Sequence, residues 1–283
     1  MSSTAAIDTV TASRVTAQHR SGDPDLALQT DDQIYPPKFD DKFEERAYLK
    51  HRLTLAFRIF ANYGFSEGLA GHITVRDPVD PESFWVNPFA AYAIHSEIHK
   101  ARPDVLCAAH SHSTYGRAFC ATGRTLDMLS QDFCTFYEDH VLYKSGHPIP
   151  KPKLNDGTDE YPCRNFAGLV FATEEGKAIA ECLGTRKAAL LGNHGLLTAG
   201  PSIEAAVAWF VLLEKLCEIQ LTADASAAGS GKALVKIGHE EAMSAHHAIG
   251  RPEGGYFAGL TLFQVAEKEF GEATSLGRGV ESL

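Results

Sequence analysis

Hydrophobic side chains recur at intervals of three and four residues in several stretches of the chain, a pattern typical of amphipathic helices. The first helix is predicted to begin at Asp40, a candidate N-cap, and to end at Asn62-Tyr63-Gly64. Further helices are predicted at about 90–101, 115–121, 173–183 and 203–223, with shorter ones near 240–248 and 260–270.

Short alternating or continuous apolar runs between these helices predict strands. They lie at 72–76, 83–86, 105–111 and on both sides of the turn Asn193-His194-Gly195. Strands and helices are interspersed without a strict β-α-β-α rhythm, and the early strands form hairpins. The pattern predicts an α/β fold with a mainly antiparallel or mixed sheet.

The periodic pattern divides the chain into three segments. Residues 1–38 are polar and without period, which predicts a disordered N-terminal tail. Residues 39–225 are predicted to form one domain, in which the proline-containing stretch 147–165 is an inserted loop. Residues 226–283 are predicted to form a C-terminal helical extension.

Composition and charge argue against several classes of function. The 283 residues carry a formal net charge of -10, which argues against binding to nucleic acid or to an anionic membrane. The longest apolar stretch, about 205–213, is far shorter than the roughly 20 residues that span a bilayer. Six cysteines without a Cys-x-x-Cys pair suit reduced thiols, so the sequence predicts a cytoplasmic protein that binds a small molecule.

The chemistry of the chain is concentrated in three histidines. His110 and His112 stand two residues apart at the end of a predicted strand, so their side chains point to the same face. His194 lies in a turn whose flanking glycines allow the backbone to bend closely around an imidazole. Three imidazoles with an open fourth position are typical of a catalytic metal site.

Around these histidines the chain resembles the class II aldolase/adducin domain superfamily. The motifs that carry the resemblance are Gly68-Leu-Ala-Gly71-His72-Ile-Thr-Val-Arg76, Ala101-Arg-Pro-Asp104 followed by His110-Ser-His112, and Asn193-His194-Gly195-Leu196. The resemblance implies a three-layer α/β/α fold, a homotetramer and one divalent metal, Zn²⁺ or Fe²⁺, held by His110, His112 and His194.

Two positions depart from the aldolase pattern. Sugar-phosphate aldolases of this superfamily carry an acid/base glutamate about 19 residues before the first histidine, and here that position is Ala91. Glu97 lies six positions further on, about 9 Å along the helix axis and on a different face. The phosphate-binding loop, usually Gly-Asn, reads Gly71-His72, which makes both residues candidates for substrate binding.

These features leave three functions open. The first is a metal-dependent carbon–carbon lyase that acts on a small oxygenated carbonyl compound. The second is a non-haem Fe(II) oxygenase or decarboxylase, since Gln131 and the segment Phe136–His140 look similar to uncharacterised fungal and bacterial members and to the iron oxygenases of aminocoumarin pathways. The third is an adducin-like scaffold that binds actin.

Either reaction needs polar groups beside the metal. Tyr137, Glu138 and His140 are the candidate catalytic groups, and Gln131 is a further candidate for substrate binding. His95 and His99 stand four residues apart on one helix face. We interpret this pair as packing residues on the helix surface rather than as metal ligands.

Overall fold

The computed structural model describes residues 35–66, 71–87, 92–144 and 173–270. Several predictions concern positions outside these ranges: most of the tail 1–38, the loop 147–165, Ala91 and the last residues from 271 onward. Within the described ranges, no helix is long and apolar enough to cross a membrane.

Among the described residues, six strands form a mixed sheet at the centre of the molecule, in the order β2-β1-β3-β6-β5-β4. Its strands are β1 (His72–Arg76), β2 (Phe84–Trp85), β3 (Cys107–Ser111), β4 (His140–Tyr143), β5 (Ala188–Leu191) and β6 (Gly195–Gly200). All neighbouring strands run antiparallel except β4 and β5, which are parallel. The prediction of a mainly antiparallel or mixed sheet is therefore confirmed.

Helices cover both faces of the sheet. One layer consists of α2 (Tyr92–Ala101) and α4 (Thr173–Leu183), and it packs on the face that carries Ala108, Ala189 and Leu197. The other layer consists of α1 (Lys42–Asn62), α3 (Thr114–Cys120), α5 (Ile203–Ser230), α6 (His239–Ile249), α7 (Pro252–Phe270) and a 3₁₀ helix (Gln131–Phe136). Two separate apolar cores result, which confirms the expected α/β/α layering.

The ends of α1 follow from two local signals. Asp41, rather than the predicted Asp40, is the N-cap, and its carboxylate accepts a hydrogen bond from the Phe43 amide at 2.7 Å. At the other end, Gly64 has a positive φ of 74°, which glycine adopts at no steric cost. The predicted end of the helix agrees with the structure, and the predicted start is one residue early.

Helix α5 is longer than predicted. Ser202 caps its start by accepting from the Ala205 amide, and the helix continues past residue 223 to Ser230. Alanines between positions 223 and 228 favour helix, so no break occurs until Gly231, whose φ is 67°. The predicted domain boundary at 225 thus falls inside α5, and α7 packs on this helix and on α1.

Candidate metal centre

The three predicted metal-binding histidines lie together at one end of the sheet. The ring centroids of His110 and His112 are 5.2 Å apart, and the ring of His194 is 4.8 Å and 4.7 Å from those two rings. Each residue offers one ring nitrogen, and these three nitrogens all lie within 4.8 Å of one another. Within the described ranges, no cysteine or carboxylate joins this group.

His110 has one nitrogen fixed by the backbone and the other without a partner. Its Nδ1–H donates to the Leu196 carbonyl at 2.8 Å, while its buried Nε2 has no hydrogen-bond partner. Burial holds the pKa of His110 well below its usual value, so the imidazole is neutral. A neutral imidazole with a free buried nitrogen and two similar neighbours fits a divalent metal such as Zn²⁺ or Fe²⁺.

The turn between β5 and β6 positions His194. Asn193 adopts a positive φ of 54°, and the His194 amide donates to the Leu191 carbonyl at 2.9 Å. Gly195 packs directly on β3, since a Cβ atom there would lie 2.5 Å from the Ser111 carbonyl. Burial lowers the pKa of His194 to about 4, which keeps this imidazole neutral as well.

A buried carboxylate supports the segment that follows His112. Glu214 on α5 accepts from the Ser113 hydroxyl at 2.5 Å and from the Tyr115 and Gly116 amides at 2.8 Å and 2.7 Å. The carboxylate thereby satisfies free amides at the N-terminus of α3. No sequence pattern had marked this residue as functional, although a glutamate directly after the apolar helix stretch 205–213 is an available signal.

The two predicted substrate-binding residues of the glycine loop lie beside the histidines. His72 pairs with His110 between β1 and β3, and their ring centroids are 6.4 Å apart. Asn87 Nδ2 donates to the Gly71 carbonyl at 3.2 Å, and its Oδ1 lies 3.4 Å from His72 Nδ1. Gly71 has a positive φ of 91°. Their role in substrate binding stays a prediction.

The interpretation of His95 and His99 as residues on the helix surface is wrong, because both are buried. They face the sheet from α2, and their rings bracket the Thr74 hydroxyl of β1. His95 is also a neighbour of the metal centre, since its ring centroid is 6.4 Å from that of His110. No local sequence pattern indicates the Thr74 contact, which joins residues more than 20 positions apart.

The candidate catalytic residues and Gln131 lie away from the three histidines. The half-buried ring of Tyr137 packs against the core on the opposite face of the sheet, and its hydroxyl contacts His239. Both ring nitrogens of His140 contact backbone, at the Phe136 carbonyl and the Leu126 amide. Glu138 and Gln131 are exposed. Within a single chain, these four residues therefore do not lie beside the three histidines. Their roles stay predictions.

Comparison with known proteins places the chain in a family. Residues 87–221 match the model of the class II aldolase and adducin N-terminal domain. Decarboxylase NovR of Streptomyces niveus is 40% identical over 223 residues, which cover 68% of this chain and 75% of that protein. The chain belongs to the class II aldolase/adducin family.

Two further relatives of this family are similar over most of their length. The 4-hydroxy-3-prenylphenylpyruvate oxygenase/4-hydroxy-3-prenylbenzoate synthase of Streptomyces roseochromogenus is 41% identical over 68% of this chain and 74% of that protein. The solved structure of an L-fuculose 1-phosphate aldolase from Glaciozyma antarctica is 38% identical, with a TM-score of 0.69, and covers 84% of this chain and 96% of that one.

The glutamate of the family's aldolases has no counterpart among the described residues of the centre. Position 91 lies outside the described ranges. Glu97, the carboxylate of α2, accepts from the Lys100 ammonium at 2.6 Å and lies against Gly176 of α4. The rings of His72 and His95 lie beside that of His110, and burial holds the pKa of His95 well below its usual value. Burial and the nearby Arg117 guanidinium lower the pKa of His112.

Proposed function

We propose that this protein is a metal-dependent enzyme that cleaves a carbon–carbon bond next to a carbonyl group in a small oxygenated compound. The observation that carries the proposal is the group of three neutral imidazoles, in which the buried Nε2 of His110 lacks a partner. One divalent ion per chain, Zn²⁺ or Fe²⁺, would be held by His110, His112 and His194.

The names of the relatives support this class of reaction. A decarboxylase and an aldolase both break a carbon–carbon bond, and a benzoate has a shorter side chain than the phenylpyruvate from which the third relative is named. The common substrate feature is a carbonyl group beside the bond that breaks. We expect the same feature in the substrate of this chain.

The metal and the protein have separate tasks in such a reaction. A bound divalent metal supplies a Lewis acid that polarises a carbonyl oxygen or, as iron, activates O₂. The Leu196 carbonyl holds the ring of His110 in one tautomer, and Glu214 holds the segment after His112. His72 and His95 provide the polar wall on the side of α2 and β1.

The first form of the reaction is a lyase that does not consume O₂. A retro-aldol cleavage needs a group that accepts the substrate hydroxyl proton. Within one chain, Tyr137, Glu138 and His140 lie away from the centre, so any such role for them requires a neighbouring copy. We therefore pair the lyase proposal with the homotetramer that the family resemblance implies.

The second form is an oxygenase or decarboxylase, and a specific observation favours it. Within the described ranges, no carboxylate belongs to the centre that could serve as the aldolase base. Oxidative loss of a carboxyl carbon from a 2-oxo acid depends on the metal and O₂ rather than on such a base. The identity to the oxygenase/benzoate synthase supports the same choice.

One experiment separates the two forms. The wild-type protein, loaded with Fe²⁺ or with Zn²⁺, is given 4-hydroxyphenylpyruvate or L-fuculose 1-phosphate, and O₂ uptake and products are measured with His110→Ala as control. Uptake of O₂ with Fe²⁺ supports the oxygenase, and cleavage in the absence of O₂ supports the lyase. No product with either metal and either compound contradicts the proposed function.

A further inference from the structure

A group of buried side chains connected by hydrogen bonds lies at the edge of the candidate metal centre. Thr74 Oγ1 of β1 lies 2.8 Å from His95 Nδ1 and 2.9 Å from His99 Nε2, both on α2. Thr74 and His95 have no solvent-exposed surface, and His99 is 4% exposed. The helix thus contacts the sheet here through two imidazoles rather than through apolar side chains.

Two ring nitrogens of these side chains are buried without a hydrogen-bond partner, His95 Nε2 and His99 Nδ1. The His99 ring stacks on Phe84, whereas the His95 ring lies beside the histidines of the centre. His95 Nδ1 is held by Thr74, and its Nε2, which Cε1 separates from Nδ1, is buried and has no hydrogen-bond partner. The ring lies 6.3 Å from that of His72 and 6.4 Å from that of His110, measured between centroids. Buried polar atoms without partners are rare, and each one calls for a ligand or another physical reason.

The single proton of the Thr74 hydroxyl couples the tautomers of the two histidines. The hydroxyl donates to one ring and accepts from the other, since its other acceptor, the Ala108 carbonyl, is more distant at 3.4 Å. Two arrangements satisfy these contacts. If Thr74 donates to His95 Nδ1, the proton of His95 resides on Nε2 and His99 donates from Nε2 to the Thr74 oxygen; in the reverse arrangement His95 Nε2 carries no proton. Only the first gives His95 an N–H that a carbonyl oxygen can accept.

Both rings are neutral, as this arrangement requires. Burial holds the pKa of His95 well below its usual value. Burial and the nearby Arg76 guanidinium lower the pKa of His99 to about 4. A neutral imidazole whose N–H points at a carbonyl oxygen polarises that carbonyl without changing its own charge.

We propose that His95 is a substrate-binding residue whose Nε2–H donates a hydrogen bond to the carbonyl oxygen of the compound held at the three-histidine centre, and that Thr74 and His99 position it. This inference rests on the proposed function, since it names the contact by which a carbonyl compound is recognised. A 2-oxo acid is the substrate class that offers such an oxygen next to a carboxylate.

The test uses Co²⁺ as a spectroscopic metal and pyruvate as the probe. Wild type, Thr74→Val, Thr74→Ser and Thr198→Val are loaded with Co²⁺, and the Kd for pyruvate is measured from the visible absorption of the ion. Thr198→Val is a matched control, because its buried hydroxyl donates to the Ala206 carbonyl at 2.8 Å and it belongs to β6 rather than to the His95 contact.

We expect all four proteins to bind one Co²⁺ per chain. Thr74→Val should raise the Kd for pyruvate about tenfold, the loss expected for one hydrogen bond that is no longer oriented, while Thr74→Ser and Thr198→Val stay close to wild type. Equal pyruvate affinity in Thr74→Val and wild type overturns the inference, and so does a Co²⁺-loaded wild type that does not bind pyruvate. In both cases the metal centre stands, whereas a wild type that binds no metal overturns the proposed function together with the inference.

Discussion

The Nδ1–H of His110 donates to the carbonyl of Leu196, 2.8 Å away on the neighbouring strand. The contact joins β3 to the start of β6, one residue after the turn that carries His194 and Gly195. It fixes the proton of His110 on Nδ1 and leaves Nε2 as the nitrogen that can bind a metal. The sheet register therefore sets both the distance between two ligands and the tautomer of one of them.

Glu214 is expected to support His112 through the start of α3. Glu214→Gln keeps the shape of the side chain but removes the charge that three hydrogen bonds share. Hydrogen bonds to a charged group contribute more than neutral ones, so we expect the free energy of unfolding to fall by about 2 kcal/mol. Urea unfolding of the metal-free protein measures this change.

A matched control is available for this substitution. Glu97 is buried to a similar degree, yet its carboxylate pairs with the exposed ammonium of Lys100. Glu97→Gln should therefore cost less than Glu214→Gln and leave metal affinity unchanged. Equal losses of unfolding free energy in the two variants would contradict the support that Glu214 is expected to give to the start of α3.

Gly195 is expected to be required for the spacing of the three histidines. In Gly195→Ala the added Cβ would lie 2.5 Å from the Ser111 carbonyl and 3.3 Å from His112 Cδ2, so β3 and the turn must move apart. We expect metal affinity to fall at least about tenfold, in the range seen when the support of a metal ligand is lost. Isothermal titration with Zn²⁺ measures the affinity.

Gly229→Ala is the control for that glycine. A Cβ atom at this position of α5 meets nothing within 4 Å, and alanine favours helix. The variant should bind metal like the wild type and be as stable or more stable. If Gly195→Ala matched it in metal affinity, the close contact between the turn and β3 would have no role in the site.

The buried imidazoles are expected to make the metal-free protein sensitive to mild acid. The pKa of His99 and that of His194 are lowered from 6.5 to about 4, mainly by burial. Below pH 6.5 the unfolded chain binds protons that the folded chain does not, so stability is full above pH 6.5 and is lost as the pH falls toward 4. The slope reaches about 1.4 kcal/mol per pH unit for each imidazole.

Urea unfolding between pH 7 and pH 4.5 tests this expectation. The window lies above the range of Asp77 and Asp104, whose pKa values are held below 3.8 by Arg46 and Arg102 hydrogen bonds despite the opposing effect of burial. His194→Asn should reduce the dependence of the unfolding free energy on pH by the contribution of one imidazole. A wild-type stability that is constant over this range would contradict neutral burial of these rings.

Much of the fold could be predicted because its signals are local. Three- and four-residue spacing marked α1, a broad apolar stripe marked α5, alternation marked β1, and a short continuous apolar run marked β3. The end of α5 was missed because small residues such as alanine and serine, read as a break, also continue a helix that has begun. The order of the strands depends on pairing between distant segments, which no local pattern encodes.

The candidate metal centre was predictable for a similar reason, and its surroundings were not. His110 and His112 share a strand face by spacing alone, and His194 stood out through its flanking glycines. Glu214, Thr74 and His95 reach the centre only through tertiary contacts between helices and sheet. Tyr137 and His140 were selected as polar groups in one dense cluster, and sequence proximity did not show which face of the sheet they occupy.

The three-histidine metal centre is tested most directly by the metal content of the purified protein. Wild type, His110→Ala and the control His51→Ala, whose imidazole contacts Glu267 far along the chain, are dialysed against Zn²⁺ or Fe²⁺ and analysed by elemental analysis. We expect about one ion per chain in the wild type and in His51→Ala, and less than a tenth of that in His110→Ala. Equal metal content in all three proteins, or none in the wild type, would contradict this expectation.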